Sequence, residues 1–312
     1  MRALLTGGGG MLGSSIAAAW RVVRPDDELV VLTRLEADLR DSVATREAIA
    51  HARPDVVIHT AAFVGGIGDK TARPLPYLME NLRIDASVLD AVVAEEVPRY
   101  VYTASAAAYP AAAPNPIDES ALFSGRLEPA NEGYGLAKLT GLTAVGYAAR
   151  QTGRHYRSIL PSNLYGPGDT FDPSRAHLIA STLRKTHDAK VSGSGEVEVW
   201  GDGTARREFT FAPDLAAWLV REIETVESWP GVMNIGAGDD HTIREFYEFA
   251  ADVVGYEGDL VFDPSRPSGV PRRLIDSSLA RAHGWRATTA MVDGMAETYR
   301  AFLSRPANGD RS

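Results

Sequence analysis

Tyr134 and Lys138 stand four residues apart at the start of a run with helical periodicity, so both side chains project from one face. Ser105 follows the strand-like run Arg99 to Thr103 (RYVYT), where parallel α/β sheets gather their ligands. These three residue types can act together on a ketone. A phenol with an ordinary pKa of about 10 is a poor acid-base group at neutral pH, but a neighbouring ammonium and a positively charged nicotinamide favour its phenolate. The expectation is that Lys138 lowers the pKa of Tyr134 and grips the nicotinamide ribose. Tyr134 then gives a proton to a carbonyl oxygen, held by Ser105, as a hydride arrives at the carbon.

A dinucleotide needs a cradle of its own. Thr6-Gly7-Gly8-Gly9-Gly10-Met11-Leu12-Gly13 spells G-x-x-G-x-x-G at Gly7, Gly10 and Gly13, between a strand-like run and a helical one. Glycines there permit a tight turn, close backbone approach to a pyrophosphate and close helix-on-strand packing, and the helix start at Met11 and Leu12 offers free N–H groups. The second strand-like run ends at Thr33 and Arg34 rather than at an acidic residue. An arginine pairs with a 2′-phosphate, so the expected cofactor is NADPH rather than NADH. Asp38, in Asp38-Leu39, is a candidate acceptor for the adenine amino group or a turn cap. Ala61 and Ala62 are small enough for the cofactor to lie across them, and Pro161 closes the expected cofactor set.

Positioning these groups requires alternating elements. Strand-like runs at Arg2 to Thr6, Leu29 to Thr33, Val56 to His59, Arg99 to Thr103 and Tyr156 to Leu160 alternate with helical runs at Met11 to Val23, Ser42 to Ala50, Tyr77 to Glu95 and Tyr134 to Arg150. That rhythm predicts parallel βαβ units, hence an α/β, doubly wound Rossmann sheet. From Pro161 onward Pro and Gly become dense, and helices at Ala176 to His187, Pro213 to Val226 and Ile243 to Val254 mix with short strands, which predicts a smaller mixed α/β lobe for substrate. Glu208 to Phe211 and Val232 to Ile235 are expected to return to the main sheet. The expected division is residues 1–163 with roughly 208–236 for the cofactor, and 164–207 with 237–312 for the substrate. The polar tail after Arg305 is expected to fray.

Composition narrows the chemistry. The chain has 312 residues, a net charge of −9 and no cysteine, so it has no thiolate nucleophile, thiolate metal site or disulfide framework. His51, His59, His155, His187, His241 and His283 show no metal spacing, and no metal is expected. Scattered basic residues in an acidic chain argue against nucleic-acid and membrane-surface partners. No targeting signal or long apolar run is evident, and a cytoplasmic location is expected.

Several longer strings carry a resemblance. The glycine loop and Tyr134-x-x-x-Lys138 are similar to the extended short-chain dehydrogenase/reductase family. Val64-Gly65-Gly66-Ile67, Asn131-Glu132-Gly133-Tyr134, Leu160 to Pro167 (LPSNLYGP), Val199 to Thr204 (VWGDGT), Arg207-Glu208-Phe209 and Asn234-Ile235-Gly236 resemble its GDP-L-fucose synthase branch. The resemblance implies a homodimer built on the helices Tyr77 to Glu95 and Tyr134 to Arg150. It also implies a nucleotide-linked 4-keto-6-deoxyhexose as substrate, epimerised at C3 and C5 and then reduced at C4. Ser105, Tyr134 and Lys138 match the reductase triad, and Arg34 matches a 2′-phosphate contact, while Gly9 stands where the branch has a second arginine. His177 matches the epimerisation histidine, but its cysteine partner is replaced by Ala107. Inversion beside a ketone needs proton removal on one face and return on the other. Alanine can do neither, so the expectation is a C4 ketoreductase without epimerase activity, for example one making dTDP-6-deoxyallose from its 4-keto precursor. The alternatives are a bifunctional GDP-L-fucose synthase and a non-catalytic NADPH-sensing protein. Asn163, Trp200, Arg207 and Arg272 are candidates for the diphosphate, sugar or base. Ser268 and Val270 replace an Asp and a Thr of the branch, a change that suits a different base.

Overall fold

The computed structural model describes residues 1–266 and 269–305; Ser268 and the tail after Arg305 lie outside the described residues. The N-terminal half runs β1 (Arg2–Thr6), α1 (Met11–Val23), β2 (Glu28–Leu32), α2 (Ser42–Ala52), β3 (Val56–His59), α3 (Ile67–Ala72), α4 (Pro74–Ala94), β4 (Arg99–Thr103), α5 (Glu132–Thr152) and β5 (His155–Pro161). Then follow β6 (Asn163–Tyr165), α6 (Leu178–Ser192), β7 (Glu196–Trp200), β8 (Arg206–Arg207), β9 (Phe209–Phe211), α7 (Ala212–Glu222) and β10 (Val232–Ile235). The chain continues with β11 (His241–Thr242), α8 (Ile243–Val254), β12 (Asp259–Asp263), β13 (Arg272–Arg273), α9 (Ser278–Ala282) and α10 (Met291–Leu303).

Six strands form one sheet in the order β10-β5-β4-β3-β1-β2, and every pairing in it is parallel. This is the doubly wound α/β architecture that the alternation of runs predicts. The four residues of β3 are all buried, as befits a central strand covered on both faces. One face packs α1 and α7 through Ile16, Trp20, Leu215 and Trp218. Trp218 stacks on Trp229 with ring centroids 5.0 Å apart and meets Trp285 edge-on at 5.9 Å, which brings the chain after α9 onto this face. The other face packs Ile49 of α2, Val88 and Val92 of α4, and Leu142 and Val145 of α5 against the sheet. A third cluster joins α6, α8 and α10 to β7 and β12 through Leu183, Val199, Phe246 and Met295.

One strand lies elsewhere than expected. Val232–Ile235 does join the main sheet, but the run expected over Glu208 to Phe211 forms β9, which pairs in parallel with β6. β5 already has β4 on one side and β10 on the other, so it has no free edge for β9. The exposed edge is that of β6, and Ser162 and Thr210 share a hydroxyl hydrogen bond of 2.8 Å beside it. Helix starts also move. α4 begins at Pro74, a residue suited to a first helical turn, and α6 begins after His177, which becomes its N-cap. Among the described residues no helix is long and apolar enough to cross a membrane.

Candidate active site

The glycine loop joins β1 to α1. Gly7 has φ +74°, and a Cβ built on it would lie 2.6 Å from the Ala61 backbone nitrogen; one on Gly13 would lie 2.2 Å from the Gly7 carbonyl oxygen. Neither position admits a side chain. The N-terminus of α1 has no side-chain cap and no acidic residue in its first turn, so its N–H groups and the positive end of its dipole face the loop. This arrangement fits a dinucleotide pyrophosphate. Ala61 lies against the loop with Ala62 beside it, while Met11 and Leu12 pack into the core below. Pro161 ends β5, in register with Ile235.

Arg34 is exposed on the turn after β2, where a cation can meet a 2′-phosphate. Asp38 is held by Arg40, whose guanidinium lies 2.5 Å away and keeps the carboxylate at about 2. Its side chain serves the turn, because the Arg40 N–H also donates to it at 3.1 Å. Leu39 packs against the sheet.

The triad assembles where β4 leaves the sheet. Ser105 caps a single 3-10 turn by accepting from the Ala107 N–H at 3.2 Å. α5 abuts this turn so closely that a Cβ on Gly135 would lie 2.5 Å from the Ala107 carbonyl oxygen. This contact sets Tyr134 beside Ser105. Tyr134 is buried, and burial followed by the Asp85 charge pushes its phenol pKa up, while the nearby Ser105 hydroxyl pulls it down. The expected lowering by Lys138 is not seen: burial is the larger cause, and Asp85, a carboxylate the sequence reading missed, lies 3.3 Å from the buried Lys138 ammonium and offsets its charge.

Asp85 anchors a larger buried network. Tyr102 donates its hydroxyl to Asp85 at 2.6 Å, His59 Nε2 lies 3.0 Å from the carboxylate, and His59 Nδ1 lies 2.6 Å from the Thr6 hydroxyl. Lys138 also sits 4.8 Å from the Tyr102 ring centroid. Burial holds His59 below its ordinary pKa, so it is neutral. The end of β1, just before the glycine loop, is thus linked through side chains to Lys138.

Across Tyr134 lies a second cation absent from the sequence reading. The Lys70 ammonium, on α3, stands 4.7 Å from the Tyr134 ring centroid, and burial lowers its pKa to about 8. His177 is held at about 3 by burial, with Lys70 adding to the effect.

The residues expected to meet the nucleotide differ in surroundings. Trp200 is half-exposed, with Lys185 and Arg266 at 5.6 and 5.4 Å from its ring centroid. Arg207 is desolvated near Glu128 and Arg273, two further charges the sequence reading missed. Arg272 pairs with Asp240 at 2.5 Å, which Arg206 also meets at 2.9 Å, and its side chain stays partly exposed. Asn163 is exposed and donates to the Glu208 carbonyl at 3.3 Å.

Comparison with known proteins places this geometry in a lineage. The chain is 40% identical over 318 residues to GDP-L-fucose synthase of Escherichia coli (strain K12), covering 99% of this chain and 98% of that one. It is 35% identical to GDP-L-colitose synthase of Yersinia pseudotuberculosis, with 99% and 100% covered. Among solved structures, a GDP-mannoheptose C4 reductase from Campylobacter jejuni with NADP bound superposes with a TM-score of 0.88 at 28% identity, covering 97% of this chain and 98% of that one. The sequence profile of the NAD dependent epimerase/dehydratase family matches residues 3–236, and with the glycine loop, parallel sheet and Ser105–Tyr134–Lys138 site described above, the chain belongs to that family.

Proposed function

We propose that the chain is an NADPH-dependent C4 ketoreductase of a nucleotide-linked 4-keto-6-deoxyhexose, acting without epimerisation. The observation that carries this reading is the meeting of Tyr134 with Ser105, with Lys138 one turn further along the same helix, beside a position, Ala107, that holds no acid or base. When bound, NADPH supplies the hydride. Reduction then needs a proton donor at the ketone oxygen, and a phenol held above its ordinary pKa stays protonated at neutral pH. Ser105 steadies that oxygen, and Lys138 is assigned to the nicotinamide ribose. The glycine loop with Met11 and Leu12 is assigned to the pyrophosphate, Arg34 to the 2′-phosphate, and Asn163, His177, Trp200, Arg207 and Arg272 to the nucleotide sugar. Pairing through α4 and α5 as a homodimer is part of the same reading.

GDP in the names of the relatives supports a guanine nucleotide, whereas Val270 at the substrate loop supports a changed base such as thymine. The assay therefore offers GDP- and dTDP-linked 4-keto-6-deoxyhexoses with NADPH in D2O. Consumption of NADPH by the wild type, abolished in Tyr134→Phe, is the expected result. The product should carry no solvent deuterium at C3 or C5. Deuterium at either carbon would establish the bifunctional reading, which the 40% identity to a GDP-L-fucose synthase favours.

A further inference from the structure

Beside Tyr134 stands a cation, Lys70, to which the assigned roles give no work. Lys70 belongs to α3, and the loop before that helix is fixed against the chain entering His177: a Cβ on Gly66 would lie 2.8 Å from the Ala176 carbonyl oxygen. α3 also packs on residues 129–131, directly before Tyr134. Separate parts of the chain thus fix α3 in place, and its Lys70 ammonium faces the Tyr134 ring at 4.7 Å.

No hydrogen bond or ion pair among the described residues satisfies that ammonium. Glu128 is the carboxylate whose charge acts on it, while burial dominates and brings its pKa to about 8. Asp69, on the same helix, is spent on Arg73 and on the Tyr77 hydroxyl, each at 2.6 Å, with Arg175 also acting on it. His177 is neutral and is itself affected by the Lys70 charge. Lys70 is only half-buried, so water can meet its ammonium in the free protein, and an acceptor brought to the face of the Tyr134 phenol can take that water's place.

We propose that Lys70 contacts the substrate, its ammonium donating a hydrogen bond to a hexose oxygen beside the carbonyl and so seating the ketone against Tyr134 and Ser105. This rests on the reductase reading above. Carbohydrate hydroxyls and carbonyls are acceptors of the required kind, and a charged donor binds them more strongly than a neutral one does.

Lys70→Met keeps the length of the side chain and its packing on the Tyr134 ring but removes every donor. With the keto sugar that the wild type reduces, it should raise KM on the order of tenfold or more, the effect of losing one charge-assisted hydrogen bond, with a smaller loss in kcat. KM for NADPH should stay within about twofold. The wild type should lose kcat/KM on the alkaline side near pH 8 as the ammonium deprotonates. Lys70→Arg should restore most of the sugar affinity and carry that limb beyond about pH 9, because guanidinium stays charged. An unchanged KM for the sugar in Lys70→Met, or the wild-type alkaline limb persisting in Lys70→Arg, overturns the proposal. If the wild type reduces none of the keto sugars, the reductase reading itself falls, and the role of Lys70 falls with it.

Discussion

A buried carboxylate decides how Lys138 behaves. Asp85 accepts from Tyr102, His59 and Lys138 at once, and the Lys138 charge holds its pKa below the ordinary value despite burial. In the proposed reaction the pair fixes the ammonium in place, and the Asp85 charge adds to burial in keeping Tyr134 protonated. A group whose folded pKa is depressed contributes stability above its unfolded pKa, about 4 here, and that stability is lost as pH falls through the folded value. Asp85→Asn removes the charge and leaves a buried ammonium uncompensated. The expected cost is about 3 to 5 kcal/mol in urea unfolding at pH 7, and a loss below about 1 kcal/mol would mean that the pair does not hold Lys138.

The glycine loop makes its prediction at the scale of a whole turn. Gly13→Ala drives a methyl group into the Gly7 carbonyl, backbone against backbone, and must push α1 off β1. NADPH affinity should fall by about tenfold or more. Gly9→Ala meets nothing within 4 Å and should leave affinity within about twofold. Equal losses in the two variants, measured by NADPH fluorescence titration, would show that the turn does not depend on this packing. The loop was legible in the sequence because its glycines sit between a strand period and a helix period, and the five expected strands around it were legible for the same reason. Lys70 was not, since Gly-Asp-Lys-Thr reads as polar loop until the fold brings the six-residue α3 over Tyr134. Nor was Asp85, one of three acids in α4, whose meaning depends on Lys138, 53 residues away. β9 was misplaced because strand propensity cannot tell that β10 has already taken the free edge of β5.

At the scale of the molecule, Glu208 ties distant parts of the chain to the end of the main sheet. Its carboxylate accepts from the Gly238 N–H at 2.8 Å and the Ile275 N–H at 3.0 Å, while its own backbone N–H donates to the Arg273 carbonyl at 3.2 Å. The crossing from β10 and the return through β13 are thereby held beside β9. Burial nevertheless pushes the Glu208 pKa up to about 7 against those two amide donors, with Asp239 and Asp240 adding to the rise. An acid whose folded pKa is raised above its unfolded value, here 4.5, loses stability as pH climbs from the unfolded value to the folded one. That interval corresponds to roughly 3 kcal/mol at about 1.4 kcal/mol per unit. Asp85 and His59 slope the other way, but they are common to both proteins when the wild type is compared with Glu208→Gln, and they cancel in the difference. Glutamine also loses one acceptor and offsets the whole curve downward, so the slope is the quantity to read. Urea unfolding across pH 5 to 7.5 should show wild-type stability falling relative to Glu208→Gln by about 2 to 3 kcal/mol, whereas parallel curves would show that Glu208 does not titrate in this interval.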